Sequence, residues 1–144
     1  MPAEAINARG CAWLDLPHIG DARGNLVFAE GGVHLPFEIA RVFYMYDVPR
    51  GASRGAHAHR HLRLALVAVA GSVDVLLDDG KNHQTVRLTR PDRGLVIGAW
   101  VWHELMNFAP GTVVLALASD RYEEADYIRD HAQFRREVHG GSSR

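Results

Sequence analysis

Cysteine and lysine are nearly absent: Cys11 and Lys81 are the single representatives of each in 144 residues. One thiol permits no intrachain disulfide, no multi-cysteine zinc site and no CxxC redox pair, and it suits a reducing, cytoplasmic compartment. The lone lysine, in the turn-like DDGKN, is poorly placed for Schiff-base catalysis. Long apolar runs are missing too. Uncharged apolar stretches such as 64–73 and 95–103 are far shorter than a membrane span, and no cationic segment leads into an apolar one at the start, so neither a membrane nor a secretory role is expected. Charge of one sign is also lacking. Sixteen basic against seventeen acidic residues give a net charge of −1, with no dense basic block of the kind a nucleic-acid groove requires. Finally, GxSxG, GxxxxGK[ST] and a strand-linked GxGxxG do not occur, which removes the usual support for a hydrolase elbow, a P-loop or a Rossmann cofactor site.

What is present is a chain with 47% hydrophobic residues, the profile of one globular domain spanning 1–144. Short β-branched and aromatic runs alternate with turn formers through residues 10–119, the pattern of an all-β sandwich or barrel. The expected strands cover 12–16, 25–30, 39–47, 57–70, 73–77, 84–89, 95–97, 99–108 and 113–119. Gly71-Ser72 reads as a two-residue type II′ hairpin turn between LALVAVA and VDVLLDDG. Asp78-Asp79-Gly80, Pro91-Asp92-Arg93-Gly94 and Pro110-Gly111 supply further turns. The strand count suits a jelly roll. Over 120–139 the period lengthens, and Tyr127, His131, Phe134 and Val138 form one face of an expected helix packed outside the barrel, with Glu123, Glu124 and Arg129 on its solvated side. Residues 140–144 are expected to be a disordered tail.

Nine histidines are the unusual feature. In Arg54-Gly55-Ala56-His57-Ala58-His59-Arg60-His61, strand alternation puts three imidazoles on one face. The strand then runs into an apolar stretch that must be buried, so His57 and His59 are placed to line a barrel mouth, with His61 less well placed. An exposed polar edge is the plainer alternative. The pattern GxHxH, followed by Pro91-Asp92-Arg93-Gly94 and His103-Glu104-Leu105-Met106-Asn107, resembles the two motifs of the cupin superfamily, which are small jelly rolls. Metal-binding cupins add a glutamate to the histidines. Here Arg63 and Leu64 stand where it would fall, so no metal is expected, although His57, His59 and His103 could form a three-histidine site.

A closer resemblance covers nearly the whole chain. Asp21-Ala22-Arg23-Gly24-Asn25-Leu26, FEIARVFYMYD, RGAHAHR, GSVDVLLDDG, GLVIGAWVWHE, LASDRYEEADYIRD and Phe134 together are similar to the cupin-type sugar 3,4-ketoisomerases. The resemblance implies isomerisation of dTDP-4-keto-6-deoxyglucose for 3-amino-deoxysugars of surface polysaccharides such as lipopolysaccharide O-antigen, without a cofactor. The family usually carries glutamine where this chain has Leu64. Moving a ketone from C4 to C3 needs a base at C3, donors for enediolate oxygens and an acid at C4, tasks that histidine can perform. His57 is accordingly read as the base and His59 as its partner. The competing readings are a metal-dependent cupin enzyme and a sugar-nucleotide-binding cupin without catalysis.

Substrate-binding candidates are Arg41, Tyr44, Arg54, Arg23, His103 and Trp102. Arg41 is either an edge residue facing water or an anion donor; Tyr44 lies on the opposite face by parity, so both face one pocket only if a bulge intervenes. Arg23 and Arg54 each precede glycine, which suits a close ligand approach or a plain turn. Trp100 and Trp102 share a face opposite His103 and read as core or interface aromatics as readily as ligand contacts. A homodimer with exchanged N-terminal strands is expected, because residues 11–16 are apolar and β-prone enough to cover a neighbour's sheet edge, and the resemblance points the same way.

Overall fold

The computed structural model describes residues 4–140. Its elements in chain order are β1 (Ala12–Asp15), β2 (His18–Asp21), β3 (Gly24–Val27), β4 (Arg41–Tyr46), β5 (Arg54–His59), β6 (Leu64–Ala70), β7 (Val73–Asp78), β8 (His83–Leu88), β9 (Arg93–Ile97), β10 (Trp102–Met106), β11 (Val113–Ala118), β12 (Tyr127–Ile128) and α1 (His131–Gly140). One antiparallel sheet has the order β1-β9-β6-β11-β4 and the other β12-β5-β10-β7-β8. They face each other as a jelly roll without closing into one hydrogen-bonded barrel, and β2 and β3 form a separate hairpin. No helix among the described residues is long and apolar enough to cross a membrane.

The alternating strands bury one side each, and their inward residues, including Leu66, Val75, Leu77, Leu95, Leu105 and Val114, make the main core. The unbroken run LALVAVA has a different cause. Leu64, Leu66 and Ala68 face that core, while Ala65 packs on the opposite side of the sheet against Leu14, Leu35, Phe37 and Leu117. Over residues 64–68 the strand is covered on both faces and must be apolar at every position, whereas Val69 and Ala70 are exposed.

Several expectations need correction. The expected strand 57–70 is two strands in different sheets, broken at residues 60–63. The break is held by Asp126, whose carboxylate accepts the amides of His61 at 2.7 Å and Leu62 at 3.1 Å, while its carbonyl accepts the Arg60 amide at 2.9 Å. Gly71-Ser72 is not a hairpin turn either, since β6 pairs with β9 and β11, and β7 with β8 and β10. It is a corner between the sheets, fixed by Thr112 Oγ1, which accepts from the Ser72 amide at 3.1 Å and donates to its carbonyl. Gly71 has φ +74, and a Cβ there would sit 2.3 Å from Thr112 Oγ1, so only glycine fits.

The helix begins later than the periodicity implies. Asp130 Oδ1 accepts the amides of Ala132 and Gln133, a cap that starts α1 at His131. Before it, Glu124–Asp126 form a 3₁₀ turn, and Tyr127 and Ile128 pair with His59 and Ala58 of β5. Tyr127 therefore belongs to a strand. The helix packs outside the second sheet through Phe134, fully buried against Ala58, Trp102 and Ile128. Of the expected tail at 140–144, Gly140 closes α1 and the rest lies outside the described residues. At the other end, β1 lies on its own chain's β9, with Ala12 to Asp15 opposite Val96 to Arg93, and buries Leu14. In the single chain the N-terminal strand is paired in cis, because its register lets Leu14 join the apolar layer beside Val96.

Candidate active site

The mouth between the sheets opens into a cavity of ≈ 230 Å³. Its wall is built from Arg41, Phe43 and Met45 of β4, Arg54, Gly55, His57 and His59 of β5, Leu62, Leu64 and Leu66 around β6, His103 and Leu105 of β10, and Tyr122, Tyr127 and Arg129 of the C-terminal segment. Strand alternation accounts for the sets two residues apart, such as Arg41 with Phe43 and Met45, or His57 with His59. The result is an apolar floor with polar groups contributed by both sheets and the C-terminal segment, the usual composition of a small-molecule site.

His57, His59 and His103 form the polar centre. The ring of His57 lies 4.8 Å from each of the other two, and His59 lies 5.6 Å from His103. His57 and His103 are cross-strand partners in β5 and β10, with a register shift just after His103. His103 is buried, and its Nδ1 lies 3.2 Å from the Val101 carbonyl. A carbonyl can only accept, so Nδ1 carries the proton and Nε2 keeps its lone pair. His57 Nδ1 is buried without a hydrogen-bond partner among the described residues.

Burial is the main reason all three imidazoles resist protonation. It pushes His57 down to about 3 and His59 to about 2, with the neighbouring His103 adding to both, and His103 itself down to about 4. At neutral pH the cavity holds three uncharged imidazoles, each able to accept a proton. The same three offer ring nitrogens within 4.8 Å of one another. A tetrahedral zinc ion needs nitrogens about 3.3 Å apart, so the cluster would have to contract to hold one, and no carboxylate lines the cavity among the described residues. Leu64, buried in the floor, stands among apolar neighbours instead.

The other sequence candidates divide cleanly. Arg41 lines the cavity, its guanidinium between the rings of Phe43 at 4.6 Å and Tyr122 at 5.3 Å, and donates to the Tyr127 hydroxyl at 3.1 Å. Arg54 is exposed at the mouth. Tyr44 is not in the cavity: regular alternation in β4 turns it outward, 64% exposed and stacked on Tyr46, so the parity conflict resolves for Arg41. Arg23 is also remote from the lining, held in the β2–β3 turn by a 2.6 Å ion pair with Asp21. Trp102 points to the far side of β10, buried against Phe134 and His131, with Nε1 donating to Glu104. His61 leaves the histidine face because β5 ends at His59, and its exposed ring pairs with Asp126.

Tyr122, Tyr127 and Arg129 were not selected as site residues from the sequence, where Tyr127 reads as the packed face of a helix and Arg129 as its solvated side. The signal was the spacing of Tyr127 and Arg129, two residues apart as on one face of a strand. Tyr127 packs edge-on against His57 at 4.9 Å and His59 at 4.5 Å, and Arg129 lies 4.3 Å over its ring. Arg129 is itself held by two hydrogen bonds of 2.9 Å to the Glu124 carboxylate, which also accepts from the Tyr122 hydroxyl.

The comparisons with known proteins bear on this geometry. Residues 9–139 match the family described as FdtA: WxcM-like, C-terminal. A TDP-4-oxo-6-deoxy-alpha-D-glucose-3,4-oxoisomerase of Aneurinibacillus thermoaerophilus is 42% identical over 125 residues, covering 87% of this chain and 90% of that one. The TDP-quinovose 3,4-ketoisomerase WlaRB of Campylobacter jejuni superposes with a TM-score of 0.85 at 45% identity, covering 89% of this chain and 98% of that one. A point mutant of the 3,4-ketoisomerase QdtA of Thermoanaerobacterium thermosaccharolyticum, solved in complex with TDP-4-keto-6-deoxyglucose, superposes with a TM-score of 0.91 at 33% identity, covering 96% of this chain and all of that one. With its cupin-like jelly roll matched along nearly its full length, this chain belongs to the FdtA family of WxcM-like, C-terminal proteins.

Proposed function

We propose that this protein is a sugar-nucleotide 3,4-ketoisomerase acting on dTDP-4-keto-6-deoxyglucose, with His57 and His59 moving the protons. The observation that carries the reading is a pair of neutral imidazoles, 4.8 Å apart, on the wall of a cavity whose floor is apolar. His57 takes the C3 proton, the C–H electrons form the C3–C4 double bond, and the C4 carbonyl becomes an enediolate oxygen. His59, uncharged with one N–H, returns a proton to C4. The C4 oxygen takes the proton that His57 removed from C3 and becomes a hydroxyl, while the C3 hydroxyl gives its proton to the histidine pair as the C3 ketone forms, replacing the one that His59 delivers to C4. Arg54, exposed at the mouth, supplies positive charge for the diphosphate, and Arg41 supplies it within the cavity. The relatives' names support the choice of a TDP-linked 4-keto-6-deoxy sugar.

The same reading places the enzyme in the cytoplasm, where an unpaired Cys11 is stable, in the supply of 3-amino-deoxysugars to surface polysaccharides. It works as a homodimer. Val42, Tyr44, Tyr46 and Val69 leave an apolar strip exposed on the outer face of the first sheet, which a second copy would cover by two-fold symmetry. The N-terminal strand β1 would exchange by taking the same register on the β9 of the second copy, and the exposed β2–β3 hairpin carrying Ile19 and Leu26 adds apolar surface for that copy to cover. The test is incubation of the purified protein with dTDP-4-keto-6-deoxyglucose, followed by NMR after trapping the 3-keto product with an aminotransferase. A 3-amino-6-deoxyhexose supports the reading, and unchanged substrate overturns it.

A further inference from the structure

The proton movers leave one task of the isomerisation unassigned: an enediolate carries negative charge on oxygen, and a cavity with an apolar floor must meet it with a donor. Among the described lining residues, few groups are free to do so. Tyr122 gives its hydroxyl proton to Glu124, and Arg129 spends its Nε and one terminal nitrogen on the same carboxylate. Arg54 is exposed at the mouth. Tyr127 is different. Its ring touches both His57 and His59, so its hydroxyl belongs to the wall where the reacting carbons must lie.

The hydrogen bond from Arg41 settles what that hydroxyl can do. Arg41 has no acceptor, so the 3.1 Å contact uses a lone pair of the phenol oxygen. The phenol's one proton remains to be donated, and the cation behind the oxygen strengthens that donation. We propose that Tyr127, polarised by Arg41, is a catalytic residue that donates a hydrogen bond to the enediolate oxygen at C4, the two acting as one unit. This rests on the ketoisomerase reading given above. No proton needs to leave Tyr127: the C3 proton goes to His57, and the phenol only stabilises the charge that its departure creates.

Tyr127→Phe keeps the ring that packs against both imidazoles and deletes the donor, so the fold is expected to persist with an unchanged melting temperature. With dTDP-4-keto-6-deoxyglucose, kcat should fall about 10²- to 10³-fold, the usual loss for one oxyanion donor. KM and the affinity for TDP should stay within about threefold, since a donor needed only when charge develops adds little to ground-state binding. Arg41→Met should also lose activity, and the Tyr127→Phe/Arg41→Met double variant should be little worse than the poorer single. A Tyr127→Phe enzyme turning over within threefold of wild type, or a double loss equal to the product of the two singles, overturns the inference. If Tyr127→Phe lowers the melting temperature, its kcat is read on the fraction bound to TDP, and the same two outcomes decide. Wild-type protein that fails to isomerise the substrate refutes the underlying reading instead, so the two failures are distinct.

Discussion

Asp126 offers the sharpest test of how the site is built, because one carboxylate holds the chain where it leaves β5 for β6. It accepts the His61 amide at 2.7 Å, the Leu62 amide at 3.1 Å and the His61 ring at 3.0 Å. Asp126→Ala leaves two amides without partners, the Leu62 one in a buried position. Hydrogen bonds to a charged acceptor contribute roughly 1.5–3 kcal/mol each, and the exposed His61 ring contact close to nothing, so the expected loss is about 3–6 kcal/mol. For a chain of this length that lowers the melting temperature by roughly 6–24 °C. Asp126→Asn keeps one acceptor oxygen and should lose about half as much. Since His59 stands just before the corner, turnover should fall at least about tenfold in the Ala variant through misplacement of the imidazole. Thermal melting followed by circular dichroism, with kcat measured on the same samples, checks both. An Ala variant melting within about 2 °C of wild type would show that the corner is held by something else.

The depressed histidines make stability depend on pH. Their folded values lie below the unfolded value near 6.5, so the unfolded chain binds protons first; the stabilisation is complete above about pH 6.5 and declines as the pH falls toward the folded values of about 4 and below. Urea unfolding at pH 7 and pH 5 should show the lower stability at pH 5, by at most ~1.4 kcal/mol per pH unit for each of buried His59 and His103; equal stabilities would contradict buried neutral imidazoles. At the sheet corner, Gly71→Ala forces a Cβ to within 2.3 Å of Thr112 Oγ1 at φ +74 and should cost about 2–3 kcal/mol. A melting temperature equal to wild type would refute that account of the turn.

The class of fold was legible because its signals are local: alternation in 41–46 and 83–88, and glycines and prolines between strands. Partner choice was not local. LALVAVA, GS and VDVLL look like a hairpin in isolation, yet which sheet each strand joins depends on Thr112, forty residues away. Residues 57–70 look like one strand because the carboxylate that breaks them is Asp126, sixty-four residues on from Leu62. Within the site, His57 and His59 were readable from alternation, as was the exclusive choice between Arg41 and Tyr44. Tyr127 was hidden because its four-residue spacing to His131 mimics a helix face, and the Asp130 cap that ends the resemblance outweighs the periodicity. Arg23 and Trp102 were drawn in by neighbouring motif residues, but an ion pair to Asp21 and the pleat of β10 turn them elsewhere.

Proton transfer through an enediolate by His57 is reported most directly by solvent isotope. Wild-type protein and His57→Asn are incubated with dTDP-4-keto-6-deoxyglucose in deuterium oxide, and the sugar is analysed by NMR and mass spectrometry. The wild type should yield 3-keto sugar carrying solvent deuterium at C4 and should exchange the C3 hydrogen of the remaining substrate, while His57→Asn, folded and still binding TDP, should slow both by about 10²- to 10⁴-fold. Isomerised product without deuterium, or a His57→Asn enzyme exchanging within a few-fold of wild type, would contradict the account.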